Sequence, residues 1–244
     1  MNCARTGRPD GGPKDEESPL FVIAKPAYGT TNFNEKKIRL DFNEFIVLKN
    51  LNKQLVVSPP MKNPPLISPQ GSPSEFIKIE IIDTLQKNTT YIFNFGNAVE
   101  DNNEGNKLEN FKYVFSTGSY IDSLKTSGKV KDAKLYESQK NISVLLYRID
   151  SAFNDSIIYK KKPNYITSTL DSTLFNFTNL KKGKYLMLAL KEPLKDYIFN
   201  PKTDKIGFIS DTITLPKDSI INKTIHLFKE VQPYQFKMAK EITK

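Results

Sequence analysis

The chain has 244 residues, 38% of them hydrophobic and 11% aromatic, with sixteen Phe, eleven Tyr and no Trp. Its formal charge is +9, and the excess is one-sided: residues 1–117 hold 14 basic and 14 acidic side chains, whereas residues 118–244 hold 22 and 13. This supplies enough apolar material for one large or two ordinary cored domains, contains no apolar run long enough to span a membrane, and, with Arg scarce and no recognition motif, does not suggest nucleic-acid binding.

Residues 1–19, MNCARTGRPDGGPKDEESP, are Gly, Pro and charge. Such a stretch has too little apolar area to offset the entropy of ordering, so it reads as a flexible tether. Its Cys3 is the single cysteine of the chain. No internal disulfide can form, and the thiol reads either as an incidental exposed group or as a lipidation site. Two or three acyl chains at about 0.8 kcal/mol per buried CH₂ would make a nearly permanent anchor. Only Met1 and Asn2 precede Cys3, so the hydrophobic segment of a lipoprotein signal is not in the numbered chain.

Residues 20–118 alternate in period two. Leu20–Lys25 opens a strand that stops at Pro26, Lys37–Phe42 puts Ile38, Leu40 and Phe42 on one face, and Asn43–Ile46 extends it as an arm. Leu55–Ser58 is a short strand, and Ser58–Ser74, with six prolines, is a loop or an edge element. Phe76–Ile81 alternates again. Thr90–Phe95 and Phe111–Phe115 form the last pair, linked by the turn formers Glu100–Asn106. In that link a helix-flanked calcium loop fails on register, with Gly105 at the fifth position instead of the sixth and Lys112 where a carboxylate belongs. A turn held by side-chain-to-backbone bonds is expected instead.

Residues 125–210 form a second unit. Ser127–Ala133 is an opening strand, Asn141–Tyr147 a strong one, and Tyr159–Lys162 and Tyr165–Thr167 two short ones. Thr173–Thr178 alternates and leads through Lys181-Lys182-Gly183-Lys184 into Tyr185–Leu190, which is apolar throughout and therefore expected to be buried on both faces. Residues 211–244 hold two further short strands, at Thr212–Leu215 and Thr224–Phe228, and a polar tail read as the start of another element. The predicted fold class is thus all-β: two tandem β-sandwiches behind the N-terminal tether.

Catalytic signals are thin. His226, the lone histidine, alternates with Ile225 and Leu227 in a strand, no phosphate-binding glycine motif occurs, and one His with one Cys cannot make an ordinary zinc site. Paired carboxylates lack a Trp platform for sugar stacking. The expectation is no enzyme activity, no cofactor and no metal. The basic second half reads first as a solvated lysine surface and second as an attraction for an acidic partner such as anionic lipid or polysaccharide. Its candidate anionic contacts are Lys160, Lys161 and Lys162, and Lys181, Lys182 and Lys184, the last three expected to project into solvent from a turn.

Two resemblances attach to these residues. KIRLDFNEFI, VVSPP, NTTYIFNFGNAVEDNNEGN and FKYVFSTG, in that order, resemble the bacterial Ig-like domain of surface-layer proteins, over residues 20–118. GKVKDA, NISVLLYRID and FNFTNLKKGKYLMLAL resemble the transthyretin-like, carboxypeptidase-regulatory sandwich, which implies a Greek-key spacer or docking module without peptidase activity. Cys3-Ala4 with Gly7 and Gly11-Gly12-Pro13-Lys14-Asp15 resembles the start of a mature outer-membrane lipoprotein. Together these imply a lipid-anchored outer-membrane protein that acts as a scaffold or accessory subunit among other envelope proteins. Binding of envelope glycan is the alternative.

Overall fold

The computed structural model describes residues 14–134 and 140–231. Cys3, most of the predicted tether and the tail beyond residue 231 lie outside the described residues. Among the described residues sixteen strands build four sheets in two stacked pairs, and two short helical turns, α1 (Leu51–Gln54) and a 3₁₀ turn (Asp155–Tyr159), lie between strands.

The first pair follows from alternation. Strands β1 (Phe21–Lys25), β2 (Lys37–Leu48), β5 (Ser74–Glu80) and β4 (Leu66–Ser68) lie side by side in the order β1-β2-β5-β4, and β7 (Val99–Asp101) pairs with the far end of β2. Strands β3 (Val56–Ser58), β6 (Thr90–Gly96) and β8 (Phe111–Ser116) form the facing sheet. Ile38, Leu40 and Phe42 of β2 and Ile77 and Ile79 of β5 point inward, and all are buried. They meet rings from the other sheet: Phe115 stacks on Phe33 at 3.9 Å between centroids and lies 5.4 Å from Tyr91 and 6.0 Å from Phe93. The core is therefore a layer of aromatics between two sheets, the sandwich arrangement that period-two patterning demands.

One detail differs from the sequence reading. The link between β6 and β8 is not wholly a turn, because Val99–Asp101 crosses over to pair with Ile46–Leu48 of the opposite sheet. The proline-rich stretch holds a three-residue edge strand, β4, beside β5, in keeping with the confinement of proline to edges.

In the second pair, β11 (Tyr165–Ser168), β10 (Ser143–Arg148), β13 (Gly183–Lys191) and β14 (Lys205–Phe208) are neighbours in that order, and β15 (Ile213–Leu215) also pairs with β13. Facing them are β12 (Leu174–Leu180), β9 (Leu124–Asp132) and β16 (Ile220–Leu227), the last pairing parallel with β9. Ending this unit at residue 210 stops short of its core: Ile213, Leu215, Ile225 and Leu227 are buried with Val144, Tyr185 and Met187. The strand expected at Tyr159–Lys162 is instead the end of a 3₁₀ turn, Asp155–Tyr159, whose entry is capped by the Asn154 carboxamide.

Tyr185–Leu190 is buried on both faces, as its unbroken apolar run predicts. Tyr185, Met187 and Ala189 enter the core between the two sheets. Leu188 and Leu190 point the other way, into a second cluster with Leu145, Tyr147, Ile166 and Phe199. That outer cluster is roofed by Phe153, Ile157, Ile158 and Tyr197, and it includes Val56, which belongs to β3 of the first sandwich. So the second sandwich places a covered sheet against its neighbour.

Candidate functional site at the domain junction

The segment between the sandwiches is pinned at both ends. Asp122 accepts a hydrogen bond from Thr90 Oγ1 at 2.8 Å, its own N–H donates back to Thr90 Oγ1 at 3.0 Å, and its carbonyl takes Asn179 Nδ2 at 2.8 Å. One residue thus ties β6, the linker and the end of β12, and it is buried. At the other side β3 lies against β11, where the buried Ser58 Oγ accepts from the Ile166 N–H at 3.1 Å. Gln54, the last residue of α1 (Leu51–Gln54), donates to Asp171 Oδ2 at 3.1 Å and accepts from the Asn97 N–H at 3.2 Å. Gly96 is built into this contact: its φ is +56°, and a Cβ there would stand 2.5 Å from Gln54 Oε1 and 2.9 Å from Leu170 Cδ1.

Three lysines of the second sandwich complete the junction. Lys162 Nζ donates to the Met61 carbonyl at 2.7 Å, and Lys181 Nζ to the Asn88 carbonyl. Lys195 Nζ reaches the carbonyls of Asn52 at 3.0 Å and Lys53 at 2.8 Å, at the end of the helical turn where carbonyls lack intrahelical partners. Beside Lys195 sits Glu192. Its Oε2 accepts from the Tyr197 N–H at 2.8 Å, and its Oε1 is buried without a partner. Burial pushes the Glu192 carboxyl up to about 7.

Next to the pinned contacts the sandwiches leave a cleft of about 1000 Å³. One wall is the outer face of β6 and β8, where Asn94 and Lys112 are cross-strand partners. The other is the outer face of β9 and β12, where Ser127 opposes Asn176 and Lys129 opposes Leu174. These positions face away from the cores because the inward residues of the same strands fill them, Phe93 and Tyr113 in the first sandwich and Phe175, Phe177 and Val130 in the second.

Residues 15–117 match the family model described as a bacterial Ig-like domain. The first sandwich is a bacterial Ig-like domain. No curated protein matches the chain. Among solved structures, the major pilin subunit BcpA of Bacillus cereus is 12% identical, over 88% of this chain and 71% of that one, with a TM-score of 0.27. The N-terminal part of the bacterial S-layer protein SbsC is 11% identical over 84% and 45%, with a TM-score of 0.25, and the group B streptococcus pilus 2b backbone protein is 11% identical over 86% and 91%, also at 0.25. Likenesses at these scores carry no argument about shape or task.

The predicted site residues divide. Cys3 lies outside the described residues. Lys160, Lys161, Lys182 and Lys184 are exposed. Lys162 and Lys181 are half-buried and hydrogen-bonded to carbonyls of the Ig-like domain, so these two do not stand free for an anionic partner as expected. Sequence spacing groups each with its neighbours in a run, and nothing local marks which member reaches across to another domain. His226 is exposed on β16. In the Ig-like domain, Asp101 accepts from four backbone N–H groups, those of Asn103, Glu104, Gly105 and Asn106, at 2.7–3.2 Å. Burial works to raise the Asp101 pKa, but these bonds outweigh it and hold the carboxyl below its usual range. The side-chain-to-backbone turn covers residues 102–106, while Glu100 and Asp101 belong to β7. Among the described residues no cluster of three or more His, Cys, Asp or Glu is placed to hold a metal. Sequence reasoning missed Lys112 of β8 and Lys125 and Lys129 of β9, which line the cleft and belong to no run of lysines. Their outward positions in alternating segments are the only signal they carry.

Proposed function

We propose that this chain is a non-catalytic structural or accessory subunit of a cell-envelope assembly, held to the outer membrane by a lipid on Cys3, with the second sandwich as a transthyretin-like spacer. The junction carries this reading. Buried bonds at Asp122 and Ser58 and three lysine-to-carbonyl ties fix the Ig-like domain against its neighbour. A pair locked in this way transmits position from an anchored end to a distal one, which is the property a scaffold needs and a freely hinged pair lacks. The partners are other outer-membrane proteins of the assembly, docked on the exposed faces of the two sandwiches.

Expressed from its full gene, the protein should fractionate with the outer membrane, carry an acylated Cys3 by mass spectrometry, and cross-link to a small set of membrane proteins in fixed ratio. Cys3→Ser should release it. Retention of the variant in the membrane would overturn the anchor, and absence of any stoichiometric partner would overturn the scaffold. Glycan binding keeps one feature in its favour, the polar cleft beside the junction.

A further inference from the structure

Three lysines line the cleft, Lys112, Lys125 and Lys129, against a single acidic residue, Asp171, whose carboxylate is already bonded to Gln54. No carboxylate of the described residues lies within 4 Å of any of the three. Lys112 is half-buried, and loss of hydration lowers its pKa from the ordinary lysine value. A partly desolvated ammonium without a counter-charge costs stability, and the natural way to recover that cost is an anion from outside. The rest of the lining is mostly amide and hydroxyl. Asn94 lines one wall and Asn176, beside its cross-strand partner Ser127, the other; Asn94 Oδ1 accepts from the Gly96 N–H, which leaves its amide N–H groups, and the Asn176 carboxamide and Ser127 hydroxyl, for a ligand. Polar groups in such excess over charges suit a ligand with many hydroxyls and few acidic groups. At the mouth, Leu174 and Ile220 are 61% and 70% exposed and supply the apolar contact that C–H faces of sugar rings use. The one aromatic in the lining, Phe175, is buried in the core and offers no ring for base stacking, which disfavours a nucleic acid.

We infer that the interdomain cleft binds an acidic oligosaccharide, with its carboxylate or phosphate groups on Lys112, Lys125 and Lys129 and its hydroxyls on the Asn and Ser side chains of the two walls. This deepens the glycan-binding reading and rests on it, while the membrane anchor is tested separately through Cys3. The site draws on both sandwiches, so it exists only while the junction is closed. It also differs from the sequence expectation, which put anionic contacts on the outer lysine runs.

The test is binding of fluorescently labelled hexagalacturonate to the full chain by polarisation at low and moderate salt. Saturable binding that weakens as salt rises is expected. Lys125→Gln with Lys129→Gln, both on the rim of a surface wall, should weaken it about tenfold, and Lys112→Gln at least as much. Lys182→Glu with Lys184→Glu should leave it unchanged. Thermal melts confirm that each variant is folded, and the Lys125/Lys129 pair decides the matter if Lys112→Gln is not. No saturable binding, equal affinity in the Lys125/Lys129 variant, or equal affinity for the fully methyl-esterified oligosaccharide would each overturn the proposal. Equal or tighter binding of a thymidine hexanucleotide would overturn it in favour of a nucleic-acid groove.

Discussion

In the Ig-like domain the core is one layer of rings between two sheets; the outer face of the β1-β2-β5-β4 sheet is largely given to water, whereas on the outer face of the β3-β6-β8 sheet Val56, Ile92 and Val114 are buried on the side of the second sandwich. In the second sandwich the sheet carrying β10 and β13 has apolar clusters on both sides, one inside the sandwich and one under the 3₁₀ turn and the Tyr197–Phe199 loop. The second sandwich has an outer cluster that includes Val56 from its neighbour, so part of its packing is borrowed across the junction. The difference teaches that a doubly buried strand within a tandem array marks the side on which the next domain docks.

Phe115→Ala breaks the first half of this comparison hardest. The ring is fully buried and touches Phe33, Tyr91, Phe93 and Tyr113, so its loss should cost about 4 kcal/mol. Denaturant titration should show the Ig-like domain unfolding first. A loss under about 1 kcal/mol would mean that the ring layer is not the core.

Lys205→Met probes the second half. Lys205 Nζ meets Asp132 Oδ2 at 2.6 Å, tying β14 to β9 across the sandwich, and the Asp132 side chain is only 2% exposed. Removing the ammonium takes this 2.6 Å ion pair away from a buried carboxylate, at a cost of about 3 kcal/mol. Equilibrium unfolding measures it, and Lys205→Met with Asp132→Leu should recover most of the loss.

A smaller effect sharpens the account of the junction. Glu192 has a folded pKa raised by burial from 4.5 to about 7. The folded state therefore holds the proton more tightly than the unfolded state does, which stabilises the fold below about pH 4.5 and is lost as pH rises through about 7. Glu192→Gln should flatten this dependence and, above that window, be more stable than the native chain by on the order of 2 kcal/mol. Melting temperatures across the window check it; an unchanged pH profile would show that Glu192 is hydrated.

Much of the fold was legible because alternation reports a sheet with one wet face. Ile38, Leu40 and Phe42 announce β2, and the unbroken run Tyr185–Leu190 announces a strand covered on both sides. What covers the second side was not legible, since Val56 and Leu188 lie far apart in sequence and meet only through docking. The strand expected at Tyr159–Lys162 failed for a local reason: Asn154 caps the preceding residues into a 3₁₀ turn, and its apolar Ile157 and Ile158 pack on the outer cluster. The unit boundary at 210 failed because β16 joins β9 in parallel, a pairing between the two ends of the sandwich that no local pattern records. The lysine runs were visible as charge, but which lysines stand free depends on the junction. Lys162 and Lys181 are tied to carbonyls of the other domain, while Lys112, Lys125 and Lys129, unremarkable one by one, converge on the cleft.

The central claim is that the two sandwiches are one rigid body. Pulsed electron paramagnetic resonance tests it directly, with spin labels at Glu109→Cys in the Ig-like domain and Lys182→Cys in the second sandwich, in a Cys3→Ser background. Both positions are exposed, and neither side chain is one of the pinned contacts. The account predicts a single narrow distance distribution that broadens when Ser58→Ala and Asp122→Ala are introduced together. A broad distribution in the otherwise native chain would contradict it.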